Sequence, residues 1–137
     1  MKIQLSSVSF CSTQKIYSVG DIKVKDFLDD NNILIRREKY DEFDRNTDTM
    51  WFNDDGSIKE EMHKDYFKSE NEEGLIETFK SKTQEYTRKA YSKTENNLRH
   101  SIDDFQSKTG KSYYNDYIHD MLGNLVKIIS NGKVIYP

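Results

Sequence analysis

From Leu75 to Thr109 the chain contains neither glycine nor proline. A stretch this long without a breaker must either cross the molecule more than once or extend out of it. The spacing predicts helix. Ser69 and Glu72 form a capping box, with a Ser oxygen placed to accept an orphan backbone N–H and a Glu carboxylate to reach back to the cap. Leu75, Phe79, Tyr86, Ala90, Leu98, Ile102 and Phe105 then supply an apolar stripe up to Gly110. About 38 residues at 1.5 Å each would span roughly 57 Å, against about 35–40 Å across a compact chain of this size. Such a helix must break, protrude or pair. Residues 91–97, YSKTENN, offer the break, because Ser, Thr and Asn compete for backbone hydrogen bonds and Ser92 with Glu95 makes another box. Left whole, the 70–109 helix offers a homodimer contact.

The segments on either side read differently. Ser57 and Glu60 form a further box ahead of Ile58, Met62, Tyr66 and Phe67, which predicts a shorter helix to about Lys68. Upstream, KIQLSSVSF, QKIYSV, IKVKDF and ILIRREKY alternate like strands, with Gly20-Asp21 as a tight turn and residues 29–32, DDNN, as a second. Downstream, LVKIIS and KVIYP flank Asn131-Gly132, a strong hairpin signal, since both central residues of a type I′ turn need positive φ. YYNDYIHDML, before that hairpin, fits a short helix or another strand. No internal repeat is visible. The fold class expected is α+β over a single domain, 1–137: an N-terminal β-meander, a central helical hairpin or long helix, and a C-terminal β-hairpin joining the sheet.

Composition narrows the function classes. Of 137 residues, 34% are hydrophobic and 33% charged, so the expected core is small and relies on seven Phe, nine Tyr and one Trp. The one cysteine, Cys11, has no intramolecular partner, and the start of the chain lacks the apolar run of a secretory signal, so a cytoplasmic setting is expected. No window approaches the roughly 18 apolar residues of a membrane span.

The net charge of -3 is unevenly placed. From Glu38 to Glu61, nine acids stand against three bases, a net of -6 that leaves +3 for the rest. An acidic run of this kind suits a cation or a basic protein surface and argues against nucleic acid being read through it. Within the run, FDRNTDTMWFNDD resembles an EF-hand loop over about a dozen residues: Asp44, Asn46, Asp48 and Asp55 fall at ligand spacing and Trp51 at the hydrophobic position. It departs where Thr49 stands in place of the turn glycine and Asp55 in place of a longer Glu, and Asp54-Asp55-Gly56-Ser57 is turn chemistry. An acidic turn is the preferred reading, and no metal or other cofactor is expected.

His63, His100 and His119 show no metal spacing, and Cys11 has no nearby base. Asp103-Asp104 reads as surface charge. HDMLGNLVKI is similar to the Asp-x-x-Gly-Asn-Leu turn of the repeats that form shells around bacterial polymorphic toxins; the likeness covers ten residues once and implies only a turn. The function expected is therefore non-catalytic binding of another macromolecule, of the small bacterial or phage inhibitor, immunity or adaptor type. The expected surface holds Trp51 and Phe52 with Asp44, Asp48, Asp54 and Asp55. The alternatives are a small toxin-like hydrolase or nuclease, in which histidines and carboxylates would gather, and a single calcium-dependent module.

Overall fold

The computed structural model describes residues 13–137, and it is all-β. KIQLSSVSF and Cys11 lie outside the described residues. Among those described there are eleven strands and no helix, and hence no helix long and apolar enough to cross a membrane. The α+β expectation, with its helical hairpin or long helix, is overturned, and a homodimer through a 70–109 helix goes with it.

The chain divides into two compact units at His63/Lys64. The first holds β1 (Thr13–Val19), β2 (Ile22–Leu28), β3 (Leu34–Tyr40), β4 (Asn46–Phe52) and the start of β5 (Ile58–Lys68). The second holds the end of β5 with β6 (Glu72–Ser81), β7 (Glu85–Glu95), β8 (Leu98–Ser107), β9 (Tyr113–His119), β10 (Leu125–Ser130) and β11 (Lys133–Tyr136). In each unit the described strands form an antiparallel meander, and each packs only on its neighbours in sequence.

The helix reading failed because its spacings were ambiguous. Leu75 to Phe79, Tyr86 to Ala90 and Leu98 to Ile102 are each four residues apart, and four returns a side chain to the same face of a helix and of a strand alike. The one odd step within a single strand, Ile102 to Phe105, decides between them. On β8 these two residues lie on opposite faces, and Ile102 is buried. Each supposed capping box belongs to a turn or a strand instead: Ser57 C=O accepts from Asn53 N–H at 2.8 Å to close the turn before β5, where the shorter helix to Lys68 was expected, Ser69 N–H donates to Glu72 C=O at 2.7 Å to close another, and Ser92 and Glu95 both lie on β7. The stretch read as a helix break, 91–97, is the end of β7 and the turn that follows it. Asn96 and Asn97, at φ 52° and 62°, form a two-residue loop that pairs Glu95 with Leu98. The Gly20-Asp21 and Asn131-Gly132 hairpins form as expected, pairing Val19 with Ile22 and Ser130 with Lys133.

An internal repeat is present after all. Turns starting at Asp29, Asp41 and Asn53 follow one another at intervals of 12 residues, and Asp120 starts a fourth. In each, the first residue's C=O accepts from the fourth residue's N–H at 2.9–3.1 Å, and its N–H donates to the fifth residue's C=O at 2.8–3.0 Å. The fourth residue, Asn32, Asp44, Gly56 or Gly123, takes positive φ, and a register shift in the adjoining ladder accompanies each turn. This is the three-residue hairpin loop with a left-handed closing residue. Asp29, Asp41 and Asp120 reinforce it, each Oδ1 accepting two backbone N–H groups. The repeat escapes a composition scan because Asn, Asp and Gly exchange freely at the left-handed position.

Burial is thin. Val24 and Leu28 in the first unit, and Ile102 and Ile118 in the second, are the buried apolar side chains among the described residues. Asp26, Thr49 and Asp116 are buried as well.

Candidate functional site

The acidic run does not form a patch. β4 occupies Asn46–Phe52, so Asp44 stands in the turn before it and Asp54 and Asp55 in the turn after it. A seven-residue strand, about 23 Å long, separates them. This geometry overturns the calcium-loop reading of Asp44, Asp48 and Asp55. The acids also find internal partners. Asp44 is paired with the Lys23 ammonium, which holds its carboxyl below the usual range. Asp55 is lowered by hydrogen bonds from the Ser57 hydroxyl and N–H. Asp48 accepts from Thr47 Oγ1 at 3.0 Å and lies 2.8 Å from His63 Nδ1. Asp54 is exposed in its turn.

Trp51 and Phe52, adjacent on one strand, face opposite sides of it. Phe52 pairs with Ile58. Trp51 stands between Arg36 on β3 and Glu60 on β5, half-buried. By strand alternation its face also carries Lys23, Lys25 and Phe27 from β2, and Glu38 and Tyr40 from β3. The Arg36 guanidinium lies over the Phe27 ring, 4.0 Å from its centroid, and Lys25 and Lys23 lie 4.9 and 5.3 Å from the Tyr40 centroid. Such cation–ring contacts add roughly 0.5–1 kcal/mol each where exposed. Arg36 Nε is 3.3 Å from a Glu38 oxygen, yet it is buried and makes no hydrogen bond. The Tyr40 hydroxyl donates to Glu38 at 2.7 Å, a bond that pushes the phenol up to about 12.

Sequence reasoning found Trp51 but missed Phe27, Arg36 and Tyr40. Their signal was the alternation itself: Lys23, Lys25 and Phe27 are two residues apart in IKVKDF, as are Arg36, Glu38 and Tyr40 in LIRREKY.

Each unit also contains a Tyr–Asp–Arg triad. Asp26 takes both Arg37 Nε (2.7 Å) and Nη2 (3.0 Å), and the Tyr17 hydroxyl at 3.0 Å. Asp103 takes Arg88 Nε (2.8 Å) and Nη2 (3.0 Å), and the Tyr113 hydroxyl at 3.2 Å. A forked pair saturated by a third donor is a structural use of charge.

His100 Nδ1 lies 2.7 Å from Asp116 Oδ2, and both side chains are largely buried. Asp116 Oδ1 is buried with no partner. Opposite His100 in the ladders stand Lys93 and Ile118. His119 lies at the end of β9, opposite Arg99 and Leu125. Among the described residues no group of three or more His, Cys, Asp or Glu is placed to hold a metal ion.

No protein-family model, curated protein or solved structure matches the chain.

Proposed function

We propose that the protein is a non-catalytic module that binds another protein through the Trp51 face of its first unit. The observation that carries this reading is the row Arg36–Trp51–Glu60, set beside Phe27 and Tyr40 on one strand face. Trp, Tyr and Arg are the side chains that dominate binding energy at interface centres, and half-buried rings are held in place before a partner arrives. The partner expected is one that matches alternating Lys, Arg and Glu charges around these rings. This replaces a purely basic partner for an acidic patch. A reducing, cytoplasmic setting fits the lone cysteine, Cys11.

The test compares capture of a stoichiometric partner by the wild type, Trp51→Ala and Arg36→Ala. Loss of roughly 2 kcal/mol of affinity, about 30-fold, with a nearly unchanged melting temperature supports the reading. A large drop in melting temperature instead makes Trp51 a fold-holding residue.

The His100–Asp116 contact favours a second reading, a small hydrolase or nuclease. A carboxylate can orient an imidazole for proton transfer. Its support is a turnover lost in His100→Gln with folding retained.

A further inference from the structure

In a meander, alternate turns lie at the same end of the sheet. In the second unit, the β6–β7 turn, the β8–β9 loop and the β10–β11 turn therefore share an end. Segments 80–85, 104–114 and 130–134 place five lysines there, Lys80, Lys82, Lys108, Lys111 and Lys133, against two carboxylates, Glu85 and Asp104. All five lysines are exposed. Glu85 is already engaged, accepting from Lys108 Nζ at 2.8 Å. The other end of the unit carries Glu70, Glu72, Glu73, Glu95 and Asp120 against Lys68, Lys93 and Arg99. The unit is thus polarised along its strands, and its lysine end attracts anions.

Two of the three loops share one construction. In Ser81-Lys82-Thr83-Gln84, the Ser81 hydroxyl oxygen accepts from the N–H groups of Thr83 and Gln84 at 3.3 and 3.1 Å. In Ser107-Lys108-Thr109-Gly110, Ser107 Oγ accepts from Thr109 and Gly110 at 3.1 and 2.8 Å. Each serine fixes its loop, with a lysine next to it. Between these loops lies a cleft of about 520 Å³. Tyr86 and Phe105 line it with their ring edges, because Tyr86 lies between Phe79 and Phe105 (centroids 5.2 and 4.8 Å) and Phe105 between Tyr86 and Tyr113 (5.0 Å); Thr83, Gln84 and Lys111 supply hydroxyl, amide and ammonium groups at its rim.

We infer that this end binds a base joined to a phosphate, with the base in the cleft against Tyr86 and Phe105 and the phosphates on the lysines. Lysines alone would accept any polyanion. The ring edges of Tyr86 and Phe105 favour the face of a planar ring in edge-to-face contact, and the lysines favour negative charge joined to it. A cleft of this volume falls within the range of small-ligand sites. The acidic run that argued against nucleic acid being read through it, Glu38 to Glu61, lies in the other unit.

The test is fluorescence polarisation with a labelled single-stranded oligonucleotide of roughly ten nucleotides. Wild type is compared with Lys82→Glu/Lys111→Glu, with Phe105→Leu, and with Lys15→Glu as a control in the first unit. Thermal unfolding of each variant is recorded, so that binding is read on folded protein. The expected result is saturable binding that weakens with salt. The double variant loses at least about tenfold, Phe105→Leu loses several-fold, and Lys15→Glu is unchanged. Unlabelled nucleoside monophosphate distinguishes the sources: competition near the oligonucleotide's own concentration identifies a free-nucleotide site, and competition by polymer alone a strand site. The inference is overturned by absence of binding, by insensitivity to the lysine variants, or by polyglutamate competing as well as the oligonucleotide. The last result would make the lysine end a docking surface for an acidic protein.

Discussion

Arg88 and Asp103 meet as a fork, Nε to Oδ1 at 2.8 Å and Nη2 to Oδ2 at 3.0 Å, across the β7–β8 ladder. The Arg88 hydrogen bonds hold the Asp103 carboxyl below its usual range. Its folded pKa therefore lies below the unfolded value near 3.9, and the stabilisation is complete above about pH 5 and lost as pH falls through the folded pKa. Urea unfolding of the wild type should show stability falling below about pH 4, with a shallower fall in Asp103→Asn. With the Arg88 side chain 40% exposed, solvent screens the pair, and Asp103→Asn should cost only about 1 kcal/mol at pH 7.

Alkali should act through the tyrosines. Tyr86 and Tyr91, raised mainly by burial, and Tyr40, raised mainly by its bond to Glu38, are all pushed up to about 12. A raised folded pKa gives stability that is whole below the unfolded value near 10 and is lost as pH rises toward 12. Absorbance near 295 nm should show these three phenols still protonated at about pH 11, ionising only as the chain unfolds. Ionisation of all nine tyrosines together near pH 10 would contradict this.

Gly74 should tolerate no side chain. A Cβ there would lie 2.5 Å from Tyr91 Cβ and 2.6 Å from Tyr91 Cα. These are atoms of the paired strand rather than a flexible chain end, so β6 and β7 would have to part. Gly74→Ala should destabilise by roughly 1–3 kcal/mol in chemical unfolding.

The Asn96-Asn97 turn should respond to backbone preference alone. Replacing Asn97, at φ 62°, with Gly should hold or raise the melting temperature, and replacing it with Val should cost about 1–2 kcal/mol. If 91–97 were instead a helix break, Gly and Val would differ little.

Local signals in the sequence were legible where a backbone conformation allows few residues. Gly20 and Asn131-Gly132 marked their turns because positive φ restricts the choice. The class of the centre was not legible, because four-residue apolar spacing fits either period and Ser-x-x-Glu arises in turns as readily as at helix starts. β7 shows the signal that was available: Tyr86, Thr87, Tyr91 and Thr94 favour a strand, and Lys, Arg and Ala do not oppose one strongly enough to tip the reading. Of the site, Trp51 was found as a large aromatic in a charged run. The acidic surface was not, because formal charge along the chain says nothing of cross-strand partners such as Lys23 for Asp44 and His63 for Asp48. The Arg36–Phe27 contact joins residues nine apart in sequence, and it becomes visible only once the β2–β3 register is known.

The 12-residue turn interval also bears on how such a chain could change over generations. One interval carries a whole strand and its closing loop, and within a unit each strand answers only to the strands beside it. Gaining or losing two intervals would lengthen or shorten the meander while keeping the direction of every later strand. A single interval would reverse them. Length differences among kin of this chain should therefore come in steps of about two dozen residues, far more often than in steps of one dozen.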